Sequence, residues 1–339
     1  MSTILFRTDA STTIGTGHVM RCLALAQEAL DQGHKAIFLM LPGADHLKER
    51  LTEEGCEVIE LKSSRASTGD IKETAELFKE SGALCAVVDG YAFGDDYQKG
   101  LKEAGVRFLL IDDYGHAKKY SADFILNQNA YAKELESIYS DRPDDCELLL
   151  GHEFVLFRRE FKNANPTEKV PEKAKKILVT LGGGDPDNIT LRIVQLLKQV
   201  ADLDVTVVVG SAHEHLDQIK SEAQGMKVIC DAHNMEELIT EADLAIAAGG
   251  TTSYELAFMG VPALMFIFAD NQIRVAEDLD RRGVVKSLGW ARECSNEEFL
   301  ASLRAILADQ GLRQRMSETG KSLIDGGGTK RVLDKLLNL

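Results

Sequence analysis

The chain has 339 residues, of which 44% are hydrophobic and 27% charged, a composition typical of a globular protein with room for two domains. Its 39 basic and 54 acidic residues give a net charge of −15, which argues against general binding to nucleic acid or anionic membranes. No signal peptide or membrane-spanning run is apparent, so we expect a cytoplasmic protein. We also expect it to be a monomer.

Short apolar runs alternate with helical patterns over residues 1–161, which predicts a parallel sheet with helices on both faces. Apolar positions between Val19 and Leu30 have the spacing of one buried helical face. Strands are predicted at 3–7, 36–40, 58–61, 84–88 and 108–111, with weaker ones at 124–126 and 148–150.

The polar segment 162–175 carries two prolines and predicts a linker, after which the alternation restarts in a second domain, 176–339. Strands are predicted at 177–181, 205–209, 228–229, 244–247 and 263–268. Helical patterns cover 188–201, 213–224, 235–242, 252–259, 271–282, 296–324 and 329–339, and the last helix could pack back on the first domain. The predicted fold class is α/β, with two Rossmann-like domains in tandem and ligands bound beyond the carboxyl ends of the strands.

The six cysteines form no C-x-x-C pair, and several lie in apolar runs. They are predicted to be reduced core residues, with no metal site among them. No cofactor is predicted.

The loop after the first strand contains Gly15-Thr16-Gly17 and leads directly to His18 at the start of a helix. Glycines allow close backbone approach, and helix-start amides favour anions. Because a positive helix end favours the neutral imidazole, His18 is predicted to act as a general base; the alternative is a purely local hydrogen bond. Arg21 lies one turn further along, and it either contacts a substrate oxygen or pairs with a carboxylate such as Asp9.

In the second domain a strand runs through Gly249 and Gly250 into a helix. The backbone amides of Gly250, Thr251 and Thr252, with two hydroxyls, predict a cradle for a pyrophosphate, and Glu255 could bind ribose hydroxyls. The alternative is a glycine turn in which Thr251 caps the helix and Glu255 completes the cap.

Polar residues follow several other predicted strands. The loop 180–188 contains three glycines, with Asp187 as an alternative helix cap. Asn271 and Gln272 could bind sugar hydroxyl or acetamido groups, whereas Asp270 could simply cap a helix. In the first domain the strand ends 87–91, 110–114 and 126–129 are polar, and each is explained equally by turn chemistry or by ligand binding.

Taken together, these motifs resemble a known enzyme family over nearly the whole chain. Residues 14–23, 112–113, 126–129, 182–185 and 248–256 resemble the UDP-2,4-diacetamido-2,4,6-trideoxy-β-L-altropyranose hydrolases of pseudaminic acid biosynthesis. The histidine loop is the most specific motif, because the glycine loops are shared with glycosyltransferases of the B fold.

This resemblance implies a metal-independent hydrolase that cleaves a UDP-sugar with inversion, in making a pseudaminic-type acid for spore coat or surface polysaccharide. His18 matches the family's catalytic base, which activates water. Tyr91, Asn271 and Gln272 match positions around the sugar. The matching UDP-binding positions are Gly183, Asn188, Thr251, Thr252 and Glu255.

Three other functions stay open. A glycosyltransferase of the same fold would move the sugar to another acceptor, and an epimerase would act on UDP-N-acetylhexosamines. A non-catalytic protein would only bind the nucleotide sugar, although His18 at a helix start argues against this.

Overall fold

The computed structural model describes residues 1–11, 14–166, 168, 170–182, 185, 187–210 and 213–338. Contacts divide the chain into two compact units, which are Met1–Lys162 with Gly326–Leu339 (unit 1) and Asn163–Asp325 (unit 2). Each unit has one parallel sheet flanked by helices, which confirms the predicted α/β class with two Rossmann-like halves. Among the helices so described, none is both long and apolar enough to cross a membrane.

Unit 1 contains seven strands, because apolar runs of four to six residues alternate with amphipathic helices. The strands are β1 (Thr3–Thr8), β2 (Lys35–Met40), β3 (Glu57–Glu60), β4 (Cys85–Asp89), β5 (Phe108–Ile111), β6 (Phe124–Asn127) and β7 (Glu147–Leu150). The helices before the chain enters unit 2 are α1 (Gly17–Asp31), α2 (Asp45–Glu53), α3 (Thr68–Glu80), α4 (Asp95–Glu103) and α5 (Arg159–Asn163). Two 3₁₀ segments cover Ala132–Tyr139 and His152–Phe154.

The strand order of unit 1 is β3-β2-β1-β4-β5-β6-β7, and all pairs are parallel. The chain therefore reverses its direction of winding between β1 and β4. In such sheets ligands bind outside the carboxyl ends of the strands at this switch point. Thr8 of β1 lies in register with Asp89 of β4, so the segments that follow these two strands begin side by side.

Unit 2 repeats the plan with six strands, β8 (Lys176–Thr180), β9 (Asp204–Val209), β10 (Lys227–Cys230), β11 (Leu244–Ala248), β12 (Ala263–Ile267) and β13 (Lys286–Trp290). Their order is β10-β9-β8-β11-β12-β13, which places the switch point between β8 and β11. The helices are α6 (Ile189–Leu197), α7 (Leu216–Glu222), α8 (Met235–Glu241), α9 (Thr252–Met259), α10 (Asp270–Arg281), α11 (Asn296–Ala308) and α12 (Gln310–Leu323).

The last helix, α13 (Gly328–Leu337), packs in unit 1. Val332, Leu333 and Leu336 are buried in the same hydrophobic cluster as one face of α1. Gly328 lets the start of α13 approach the backbone of Val155, since a Cβ there would overlap the Val155 carbonyl oxygen. The sequence analysis assigned residues 326–339 to the second domain and left open whether the last helix packs on the first. In the structure they belong to unit 1 and complete its core.

Two elements of unit 2 differ from the sequence predictions. Strand β13 was not predicted, because its residues Lys286, Ser287 and Gly289 interrupt the apolar pattern and it pairs along only one side. The single helical pattern at 296–324 is two helices, because the Asp309 carboxylate accepts a hydrogen bond from the Leu312 amide at 2.8 Å and starts α12.

The segment 162–175 overlaps the end of α5, and its later part packs on unit 2. Val170 and Ala174 are buried, and the Arg313 guanidinium donates to the carbonyls of Pro171 and Glu172 at 2.8 and 3.0 Å. The later part of the predicted linker is therefore packed against unit 2 and hydrogen-bonded to it.

Candidate active site

The clearest chemical feature of unit 1 is a contact between His18 and Asp89. The loop after β1 ends at Gly17, the first residue of α1, and His18 follows it. Its Nδ1 atom lies 2.7 Å from Oδ1 of Asp89, the last residue of β4, and the two side chains are 9% and 0% exposed. The neighbouring positions of β1 and β4 bring these residues together across 71 residues of sequence.

Arg21 lies one turn further along α1 and binds two carboxylates. Its Nε and Nη2 atoms donate to both oxygens of Asp89 at 2.6 Å, and Nη1 donates to Asp113 at 2.8 Å. The predicted alternative partner Asp9 is wrong, since Arg7 and Arg65 bind that carboxylate at 2.9 Å each. Strand order explains the error, because Asp89 ends β4, the strand beside β1.

The charges around Asp89 determine the hydrogen-bonding roles of the His18 ring. Burial of the Asp89 carboxyl opposes its ionisation, but Arg21 and His18 together hold its pKa well below its usual range. An ionised carboxylate only accepts hydrogen bonds, so Nδ1 of His18 must carry the proton. In the neutral ring Nε2 is then the basic nitrogen, and among the described residues it has no hydrogen-bond partner. A histidine oriented in this way by a carboxylate is the arrangement of a general base.

Asp113 joins Arg21 to Tyr91. The Tyr91 hydroxyl donates to Asp113 Oδ2 at 2.7 Å, and the Tyr91 ring lies edge-on to the His18 ring with centroids 4.8 Å apart. The backbone carbonyl of Asp113 accepts from Asn127 at 3.1 Å, and Asn129 and Tyr131 donate to it at 3.3 and 3.1 Å. The polar strand end 126–129 therefore supports the loop that carries Asp113.

Asp112 shapes the same loop. Its carboxylate accepts from the amides of Tyr114 and Gly115 at 2.9 and 2.8 Å and from the Tyr120 hydroxyl at 2.7 Å. Burial opposes ionisation of Asp112, but contact with His116 and the hydrogen bonds lower its pKa. We interpret Asp112 as a structural residue of the turn.

The structure therefore brings together three of the predicted site residues of unit 1, His18, Arg21 and Tyr91. Gly17 is adjacent and exposed, with no heavy atom within 4 Å of where a Cβ would lie. Asp89 and Asp113 belong to the cluster but were not assigned to it from sequence. The available signal was a carboxylate at or just beyond the end of each buried strand, at Asp89 of β4 and two residues after β5.

The predicted pyrophosphate cradle of unit 2 lies between β11 and α9. The amide of Gly250 donates to the Ala248 carbonyl at 2.8 Å, so this predicted donor is already used within the turn. Thr251 and Thr252 stand at the first turn of α9, where helix amides have no intrahelical partner. The Thr251 side chain makes no capping hydrogen bond, and Glu255 is half-buried in the same turn.

Asn188 immediately precedes α6 in the loop after β8, with a left-handed backbone at φ 51°. Its Oδ1 atom is buried without a hydrogen-bond partner in the described part of the chain. Helix α6 is capped by Asp185 and not by Asp187, because the Asp185 carboxylate accepts from the amides of Ile189 and Thr190 at 2.8 and 2.6 Å. Gly183 lies outside the described residues.

Asn271 and Gln272 are in the first turn of α10, which starts at Asp270. Asn271 is exposed, whereas the side-chain Oε1 of Gln272 accepts a hydrogen bond from the Phe268 amide at 2.9 Å. Gly249 allows the close packing of this turn on the β11 loop, since a Cβ there would lie 3.1 Å from Cβ of Gln272. The loops that contain the predicted residues 250–255 and 271–272 are therefore neighbours.

The six cysteines are unpaired and five of them are buried. Within the described ranges, no group of three or more histidine, cysteine or acidic side chains is arranged to hold a metal ion.

Residues 177–324 match the family model of the glycosyltransferase family 28 C-terminal domain. The chain is 28% identical over 286 residues to the UDP-2,4-diacetamido-2,4,6-trideoxy-beta-L-altropyranose hydrolase of Campylobacter jejuni, covering 83% of this chain and 97% of that protein. It is also 28% identical over 334 residues to the spore coat polysaccharide biosynthesis protein SpsG of Bacillus subtilis, covering 96% and 95%. An uncharacterised protein of Methanocaldococcus jannaschii is 25% identical over 268 residues, 76% of this chain, which spans about half, 54%, of that longer protein.

Solved structures agree on the fold. MurG of Acinetobacter baumannii matches with a TM-score of 0.64 at 18% identity over 100% of both chains. The UDP-GlcNAc 2-epimerase of Neisseria meningitidis, bound to UDP-GlcNAc, matches with a TM-score of 0.65 at 11% identity over 99% and 100%. The predicted tandem of two Rossmann-like domains is confirmed, and these neighbours have it as the glycosyltransferase B-type fold.

Proposed function

We propose that this protein hydrolyses a UDP-linked diacetamido-trideoxyhexose to the free sugar and UDP. The observation that most supports this proposal is the 2.7 Å contact between His18 Nδ1 and Asp89 Oδ1 at the switch point of the unit 1 sheet. The names of two relatives similar over most of the chain, a UDP-sugar hydrolase and a spore coat polysaccharide protein, support the substrate class and a role in surface polysaccharide synthesis.

In the proposed reaction Nε2 of His18 accepts a proton from water. The water oxygen forms a bond to the anomeric carbon, and the bond from that carbon to the UDP oxygen breaks with its electron pair on UDP. Attack opposite the leaving group inverts the anomeric configuration. Asp89 orients the ring and stabilises the imidazolium that forms, and the proton then passes to solvent.

The nucleotide is assigned to unit 2. The amides of Thr251 and Thr252 at the start of α9 suit a pyrophosphate, and Glu255 in the same turn suits the ribose hydroxyls. Asn188 offers a buried acceptor that no described residue uses. Gly250 and Gly183 are also assigned to the nucleotide, and Asn271 and Gln272 are assigned to the sugar. None of these roles requires a divalent metal.

A second candidate is sugar transfer to another acceptor, which the family 28 match of residues 177–324 favours. That match covers only the nucleotide-binding unit, which both reactions would use in the same way. Water as the acceptor is preferred because His18 can deprotonate it without a second substrate.

The test is to incubate the purified protein with a panel of UDP-diacetamido-trideoxyhexoses and to follow UDP release together with the anomer formed, by NMR. Hydrolysis gives equimolar UDP and free sugar of inverted configuration. UDP release only with an added acceptor would identify a transferase, a C2-epimerised UDP-sugar would identify an epimerase, and binding without turnover would leave a nucleotide-sugar-binding protein.

A further inference from the structure

Two tyrosine rings stand exposed beside the candidate base. Among the described residues, Tyr91 and Tyr114 are the exposed large hydrophobic side chains apart from the N-terminal methionine, at 37% and 43%. Their ring centroids are 5.1 Å apart with planes inclined at 55°. Because the Tyr91 ring also contacts His18 edge-on, the two tyrosines extend the catalytic cluster as one aromatic surface.

The Tyr91 side chain and the backbone of Tyr114 are held by hydrogen bonds. The Tyr91 hydroxyl is bound by Asp113, and the backbone of Tyr114 is fixed by the hydrogen bond of its amide to Asp112. Gly115 follows with φ 81°, and a Cβ there would lie 2.7 Å from Ile138 Cδ1, so the turn that presents Tyr114 tolerates little change. The His116 ring lies 6.0 and 6.4 Å from the two tyrosine rings.

This surface suits a small ligand. A stable protein interface buries about 800 Å² on each partner, far more than two tyrosine rings provide. The rings also lie at the carboxyl ends of β4 and β5, the edge where parallel sheets bind small molecules. Covering these two partly exposed rings with an apolar ligand surface would remove apolar area from water, which favours binding at this edge.

We infer that Tyr91 and Tyr114 form a stacking surface for the apolar face of a deoxygenated, acetamido-substituted hexose. The inference rests on the proposed function and adds Tyr114 and the kind of contact. Sugar C–H groups, a C6 methyl and acetamido methyl groups are apolar and pack well on tyrosine rings. A hexose with a hydroxymethyl group at C6 presents a more polar surface and gains less from these rings.

Calorimetry in the H18N background tests the inference without turnover. The probes are UDP and a UDP-2,4-diacetamido-2,4,6-trideoxyhexose, and the quantity compared is the ratio of their affinities. Y114A is expected to lower the affinity for the UDP-sugar roughly 3- to 10-fold with unchanged affinity for UDP, and Y114F, which keeps the ring, should restore the ratio.

An unchanged ratio in Y114A would overturn the stacking role, and so would an equal loss of affinity for both probes. Unchanged UDP binding shows that unit 2 is folded, and an unchanged thermal unfolding profile of Y114A shows that unit 1, which carries Tyr114, is folded as well. Failure of hydrolysis is detected separately as absent turnover in the protein with His18 intact, so a binding protein or a transferase could still show the Tyr114 effect.

Discussion

His18 and Asp89 share a hydrogen bond of 2.7 Å although 71 residues separate them. The contact exists because the crossover through β2 and β3 returns the chain to the other side of β1. A carboxylate on Nδ1 fixes the tautomer of the ring. The proton is then on Nδ1, and Nε2 is the nitrogen that can accept one.

Replacing His18 with asparagine should remove the base and leave the nucleotide loops untouched. We expect kcat to fall by about 10²–10⁴ with nearly unchanged UDP affinity, because general-base assistance has that value. The acidic limb of the pH–rate profile should also disappear. The control is His46→Asn on the exposed surface of α2. H18N turnover at the wild-type rate would disprove the assignment.

Replacing Asp89 with asparagine should change both catalysis and acid stability. The pKa of Asp89 is lowered in the folded protein, so the folded state binds fewer protons there than the unfolded state. The resulting stability is full above an unfolded pKa of about 3.9 and is lost as the pH falls through the folded value. Urea unfolding from pH 6 to pH 3 should therefore show a shallower acid decline in D89N, from a lower starting stability.

The exposed Asp96 at the start of α4 provides the control D96N. Identical acid slopes in D89N and the unmodified protein would contradict the ionised, buried state of Asp89. At neutral pH the activity of D89N should fall by about 10²–10⁴, because the amide no longer fixes the tautomer of His18.

Arg21→Lys should slow the reaction without weakening nucleotide binding. Arg21 is 6% exposed and uses three nitrogens on two carboxylates, a geometry that a single ammonium group cannot reproduce. We expect kcat to fall by about 10²-fold through misplacement of Asp89 and Tyr91. Steady-state kinetics with R304K, at an exposed arginine, as control would measure this. A raised KM at unchanged kcat would instead return Arg21 to the substrate-binding role predicted from sequence.

Glu255→Ala should weaken UDP binding more than it slows chemistry. A carboxylate that binds ribose hydroxyls does so equally in substrate and transition state, so its loss raises KM. A loss of affinity of about 10- to 100-fold is expected for a charged hydrogen bond. Calorimetry should show no such loss for E297A, at an exposed glutamate in the first turn of α11. Unchanged UDP affinity in E255A would restrict Glu255 to a role in the helix turn.

Turnover should persist without divalent ions. The proposed nucleotide contacts are amides, hydroxyls and one carboxylate, and water activation is assigned to His18. Activity after EDTA treatment should equal that of the untreated enzyme. Complete loss, with recovery on adding magnesium or manganese, would refute metal independence.

Sequence periodicity predicted nearly every strand and the two-unit plan, because buried parallel strands are continuous apolar runs. The loop motif before α1 pointed to His18 and Arg21, and the family resemblance pointed to Tyr91; the roles assigned to them stay predictions. Neither could pair Arg21 with Asp89 and Asp113, since partners depend on which strands are neighbours, and the sequence pattern contains no strand order. The doubly wound rule, which places β4 beside β1, would have pointed to Asp89.

The cap of α6 is another feature that the sequence alone could not predict. Asp185 and Asp187 are both suitable caps for α6 by composition, and only the backbone path selects Asp185. Strand β13 escaped prediction because an edge strand needs fewer apolar residues than a central one.

Because α13 belongs to unit 1, the core of that unit can be completed only after the whole chain has been synthesised. Helix α1 is made early, but Val332, Leu333 and Leu336, which cover part of its buried face, emerge only after all of unit 2. Domains generally fold in the order of their synthesis, yet here the second unit can close before the first. We therefore expect the nascent first unit to expose apolar surface on α1 until α13 has been made, a period in which a chaperone could bind it.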